Sequence, residues 1–214
     1  LLLSTSPLPD GPLRDAATPV LEAAGVDVPL VLGDASTRTT RFNAVVVGLG
    51  PTERVVLFDT LRDLPSDQVE ALVAHELAHQ QHRDLLRGTA LVPLATLLLT
   101  VAASRLARRR SAAGAADPRV VPLLLAAALT VELLTGPVVA GLSRRVEAAA
   151  DDAAFALGAD PATVVALQRS AVVRDLADPE PAAWLRWWFA THPSTADRIR
   201  AAVVAAGVDP LPDL

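Results

Sequence analysis

The chain has 214 residues, a net charge of −5, 51% apolar residues and a mean hydropathy of +0.37, an apolar content that points towards lipid. The acidic balance, with no basic block except around Arg108, excludes nucleic acid as an expected partner. The absence of Cys excludes disulfides and thiolate metal ligands, and a chain that starts at Leu1 without any Met reads as a fragment, with further spans fitting before it.

Residues 1–27 read as a connector, because residues 1–19 are rich in Pro, Ser and Asp. Val28–Leu32, Arg41–Val47 and Arg54–Phe58 are β-branched runs, and the last two, on either side of Gly48-Leu49-Gly50-Pro51, are expected to pair as a hairpin. Ser66 is the expected N-cap of a helix from Asp67 to about Arg87, with Asp67 and Glu70 near the positive end of its dipole. Gly88–Ser104 is uncharged and Val120–Ser143 carries only Glu132; both are candidate transmembrane helices, joined by the Arg-rich segment Arg105–Arg119. A buried helical hairpin in a soluble protein is the alternative. Glu132 is expected to be paired or to face the protein interior. Helices are further expected over Arg144–Leu157, Pro161–Leu176, Ala182–Ala190 and Ser194–Ala206, with Ala177–Pro181 as a linker. Trp184, Trp187 and Trp188 stand at helical spacing, as membrane-interface anchors or as ordinary core.

The pattern that carries chemistry is His75-Glu76-Leu77-Ala78-His79. Two His four apart share one face of a helix, and their imidazoles can converge on one Zn2+ at about 2.0–2.1 Å. Glu76 follows the first ligand and can act as general base on the water. A catalytic zinc needs a third protein ligand. His82 fails, since residues 75 to 82 span about 10.5 Å of straight helix; it reads as a surface residue or a neighbour of the site. Glu147 is the better candidate. Asp151, one turn on, shares its face and can accept a hydrogen bond from a ligand imidazole. The bland readings are solvated histidines and a solvated acidic face.

Four separated blocks resemble a gluzincin family of membrane metallopeptidases, the type I CAAX prenyl endopeptidases and HtpX-like heat-shock proteases. They are Asn43-Ala44 with Gly48–Pro51 and Val55–Leu61; His75–His79 continuing to His82-Arg83-Asp84; Ser143-Arg144 through Glu147 to Asp151; and His192-Pro193-Ser194 with Arg198. The resemblance covers roughly residues 30–205. It implies one Zn2+ per chain held by His75, His79 and Glu147, with Glu76 as general base. It implies that His192 stabilises the oxyanion with Arg198 helping to place it, and that Arg144 supports the site through its carboxylates. Asn43, Ala44 and the following strand would bind substrate as an added β-strand. The sequence departs from the family's pattern at Ala148 and Ser194, and lacks the N-terminal spans of the prenyl-protease branch.

The expected fold is therefore mainly α with a small β-hairpin or sheet, of the α+β zincin type, plus two transmembrane helices. The metallopeptidase domain is expected over residues 28–214, interrupted by the helical hairpin 88–143. The expected function is membrane-embedded zinc metalloendopeptidase, acting on peptides or proteins at or in a lipid bilayer, in a bacterial cell membrane. A membrane sensor or scaffold that keeps the zinc fold is the alternative. The loop between the spans carries five Arg (105, 108, 109, 110, 119) and the catalytic flanks four (83, 87, 144, 145), which does not decide the orientation and leans slightly towards an external active site. The resemblance implies a cytoplasm-facing site.

Overall fold

The computed structural model describes residues 3–110 and 121–207. Arg119, Val120 and the rest of 111–120, part of the expected inter-helix segment, lie outside the described residues, as do Leu1 and Leu2. The elements are β1 (Thr5–Pro7), α1 (Pro12–Ala24), β2 (Leu30–Gly33), β3 (Ala44–Val47), β4 (Arg54–Phe58), α2 (Ser66–Gln81), α3 (Asp84–Arg110), α4 (Val121–Ala156), α5 (Pro161–Asp175), α6 (Ala183–Phe189) and α7 (Thr195–Ala205). The fold is mainly helical around one small sheet.

The sheet has the order β1-β2-β4-β3. β3 and β4 form the expected antiparallel pair, in the register Ala44↔Leu57 and Val46↔Val55. β2 runs parallel to β4, and β1 closes the far edge antiparallel to β2. β4 is paired along both edges, and both of its faces are also covered: Val55 and Leu57 join the main core, Val56 and Phe58 a second cluster with Ala35. That double burial explains its unbroken apolar run. The turn between β3 and β4 requires glycine at Gly48. Its φ is +90°, and a Cβ there would stand 2.2 Å from the Thr52 carbonyl oxygen.

The segment expected to be a connector contains β1 and α1. α1 places Leu13, Ala16, Ala17, Val20 and Leu21 into the core beside α2. These positions follow a helical period, but Pro12 and Pro19 obscure it. Pro12 sits in the first turn, where its missing N–H has no helical partner to lose.

α2 is buried on several sides. Val69, Val73 and Leu77 face the core, and a different face carries His75 and His79. Ser66 is the first helical residue and Pro65 occupies the capping position, so the expected Ser66 cap is not formed. The helix does not continue to Arg87. It stops at Gln81, and Arg83 takes a left-handed φ of 55° before α3 begins at Asp84.

α4 is continuous across the boundary expected near Ser143. Arg144 and Arg145 end the apolar run without ending the helix. α3 and α4 pack on each other, and each is long and apolar enough to cross a membrane. Their outer faces expose Leu94, Leu97, Leu98, Leu125, Leu129, Leu133 and Leu134. Glu132 is exposed rather than turned inward.

Candidate metal centre

The site forms where α2, α4 and the segment between α6 and α7 meet. One helical turn brings the two imidazoles together edge to face, with ring centroids 4.8 Å apart. Their Nε2 atoms stand 3.2 Å apart. Glu147 reaches in from α4, with Oε2 3.4 Å from His75 Nε2 and Oε1 3.6 Å from His79 Nε2. One donor atom from each of the three residues lies within 4.8 Å of the others.

These residues fit a zinc ion. Donors about 2.0–2.1 Å from a tetrahedral ion stand about 3.3 Å from one another; the two Nε2 atoms and the Glu147 oxygen nearest each of them stand at 3.2, 3.4 and 3.6 Å. Glu147 Oε2 is also buried without a hydrogen bond, although His192 Nδ1 lies only 2.9 Å away. A buried carboxylate facing two imidazole nitrogens calls for a shared cation, a proton or a metal ion.

Both imidazoles are held through their other nitrogen. His75 Nδ1 lies 2.9 Å from Asp151 Oδ1, and His79 Nδ1 lies 3.0 Å from Asp84 Oδ2. Each contact fixes the ring and leaves Nε2 for the metal. Asp151 has the position expected of it. Asp84 received no role from the sequence, because on a helix continued to Arg87 it would sit well around the helix from His79. The left-handed Arg83 turns the chain so that Asp84 faces back. His82 is a neighbour only, its Nδ1 4.0 Å from Asp84.

Two arginines act differently from the expectation. Arg198, on α7, pairs with Asp151 through Nε at 2.9 Å and through a second, shorter contact from Nη2. It thereby holds the carboxylate that holds His75, rather than placing His192. Arg144 reaches backbone carbonyls instead of the site's carboxylates. Its Nη1 donates to Arg186 O at 2.8 Å and Ala190 O at 2.6 Å. It clamps the end of α6 just before His192.

The electrostatics follow from burial. Burial disfavours a charged His75, but the carboxylates of Asp151 and Glu147 outweigh it and raise the metal-free pKa to about 9. The imidazole must therefore give up a proton when a metal binds. Burial also lifts Glu76 above the ordinary carboxylate range, against the opposing charges of His75 and His79.

In front of the three donors opens a cleft of 810 Å³, whose walls include Glu76, His192, Asn43, Val46 and Arg83. Ala44 is fully buried in the core, while its neighbours Asn43 and Val45 line the cleft. β3 is the end strand of the sheet on this side. Gln80 and Glu53, which the sequence reading did not single out, tie α2 to the β3–β4 turn at 3.0 Å on the same wall.

Comparison with known proteins finds relatives over most of the chain. The family model for peptidase family M48 matches residues 7–205. A CAAX prenyl protease 1 homolog from Arabidopsis thaliana is 38% identical over 79 residues, covering 35% of this chain and 18% of that protein. A protease HtpX homolog from Gemmatimonas aurantiaca is 29% identical over 208 residues, covering 84% and 70% respectively. The crystal structure of S. mikatae Ste24p superposes with a TM-score of 0.78 at 24% identity, over 94% of this chain and 52% of that one. The chain thus spans about half of Ste24p and a smaller part of the plant protein. With the match running through nearly every described element, the chain belongs to peptidase family M48, a family of zinc-dependent metallopeptidases.

Proposed function

We propose that this chain is a membrane-embedded zinc metalloendopeptidase that cleaves peptide bonds in membrane or membrane-near proteins. The observation that carries the reading is the convergence of His75, His79 and Glu147 at the floor of a cleft that also presents Glu76 and His192. His75, His79 and Glu147 would hold one Zn2+ per chain. When bound, the ion would lower the pKa of water and polarise the scissile carbonyl.

The chain's own residues do the rest. An extended substrate lies along the outer edge of β3 at Asn43 and Ala44 and pairs with it as an added strand. Glu76 takes the proton of the attacking water on its carboxylate and delivers it to the leaving amine. Burial makes that carboxylate a better proton holder than an exposed one. His192 donates a hydrogen bond to the developing oxyanion. Asp151 and Asp84 hold the two imidazoles, Arg198 holds Asp151, and Arg144 holds the chain that carries His192.

The metallopeptidase unit is interrupted by the α3–α4 hairpin, which we read as crossing the bilayer. This places the cleft beside the membrane, on the cytoplasmic side by the family resemblance. The test is cleavage of casein and of a membrane-anchored reporter by purified protein in detergent. Chelator should abolish both cleavages and added zinc should restore them. Cleavage that persists after complete zinc removal would refute the reading.

A further inference from the structure

All three tryptophans of the chain, Trp184, Trp187 and Trp188, lie in α6. The helix has no buried residue. Trp188 is its inward anchor, with Nε1 3.7 Å from where a Cβ on Gly136 of α4 would sit. Trp184, Trp187 and Phe189 are 64%, 54% and 65% exposed. One turn before Gly136, on the same side of α4, Leu133 is also exposed. Aromatic area of this kind is costly to leave in water.

The position of α6 selects its cover. Gly136 precedes Arg144 by about 12 Å of helix, and Arg144-Arg145 closes the apolar stretch of α4. α6 thus lies beside the end of a span, where hydrocarbon gives way to headgroups, and indole rings concentrate at that depth. The same helix is connected to the site. Arg144 donates to the carbonyls of Arg186 and Ala190, and Ala190 stands two residues before His192. On the other side Arg186 binds Asp197 of α7 at 3.1 Å.

We infer that α6 is an interfacial anchor whose outward aromatic face sits at the headgroup–acyl boundary of the bilayer, and that this seating sets the position of His192 against Glu147. The inference rests on the membrane reading of α3 and α4. Only α6 contributes tryptophan emission, so fluorescence reports on it alone.

The test uses full-length chain in phospholipid vesicles brominated either near the headgroup end of the acyl chain or near its terminal methyl. Trp188→Phe leaves the two outward indoles and should be quenched more by the shallow label than by the deep one. Trp184→Phe/Trp187→Phe, which leaves only the shielded Trp188, should be quenched less. Protein that floats with the vesicles yet shows no quenching in Trp188→Phe overturns the inference while leaving the membrane reading intact. Protein that fails to float overturns both. Quenching that appears only on dilution of protein in lipid would mean that a second copy covers α6, and would also overturn it. For the link to the site, Trp184→Ser/Trp187→Ser should lower kcat in vesicles several-fold at unchanged zinc content. In a His192→Ala background the same change should have little further effect. An equal loss in both backgrounds would overturn the coupling.

Discussion

The two halves of α4 are one helix in two environments. Up to Leu142 it exposes Leu125, Leu129, Leu133, Leu134 and Val138, and it packs on α3 and α6. Beyond Arg144 it buries Glu147, Ala150, Asp151 and Ala154 against the rest of the molecule. The first half is apolar almost all round. The second half pairs carboxylates and alanines at helical spacing, so that small residues allow close approach and the acids reach the histidines. The continuous helix carries a rigid connection from the apolar hairpin to Glu147, the proposed third ligand, while the precision of the site resides in the buried half.

The strongest contrast comes from deleting one donor. Glu147→Ala should lose bound zinc and all measurable cleavage, read by metal analysis after gel filtration. Loss of activity with zinc fully retained would remove Glu147 from the ligand set.

Packing should divide in the same way. Leu77 is fully buried behind the zinc motif, and Leu134 is 69% exposed. Leu77→Ala should destabilise by about 2–5 kcal/mol in detergent unfolding, and Leu134→Ala by less than about 0.5 kcal/mol. Equal losses would show that protein covers the outer face of α4.

Asp84 sharpens the comparison within the site. Asp84→Asn keeps the side chain's shape but weakens its hold on His79. Zinc affinity should fall about 10–100-fold in a chelator competition, with the fold retained. Unchanged affinity would make the 3.0 Å contact incidental.

The smallest effect concerns pH. Burial alone would raise the pKa of Asp197, but hydrogen bonds from Ser194 and the charges of Arg186 and Arg200 hold it below its ordinary value. A depressed pKa contributes stability in full above the unfolded value, and that contribution is lost as pH falls through the folded one. The stability gap between wild type and Asp197→Asn should therefore narrow below about pH 4 in denaturant titrations, starting from a modest gap because the side chain is partly exposed.

What the sequence could reveal followed from local geometry. His75, Glu76 and His79, and separately Glu147 and Asp151, sit at spacings whose consequence holds on any helix. The β3–β4 pair was readable from β-branched runs on either side of a glycine turn. Asp84 was hidden because nothing in His82-Arg83 signals a break, and an arginine in the left-handed region is uncommon. α1 was hidden by its two prolines. The partners of Arg144 and Arg198 depend on how α6 and α7 return to α4, which no spacing within one element encodes. The continuity of α4 was obscured because the end of an apolar run resembles the end of a helix.

The most direct test of the central claim is zinc content and cleavage rate on the same preparations of wild type and Glu76→Gln. The account predicts about one zinc in each protein and a rate about 10²–10⁴-fold lower in the variant, since only the base is removed. A variant that cleaves at the wild-type rate, or a wild type that cleaves without zinc, would contradict it.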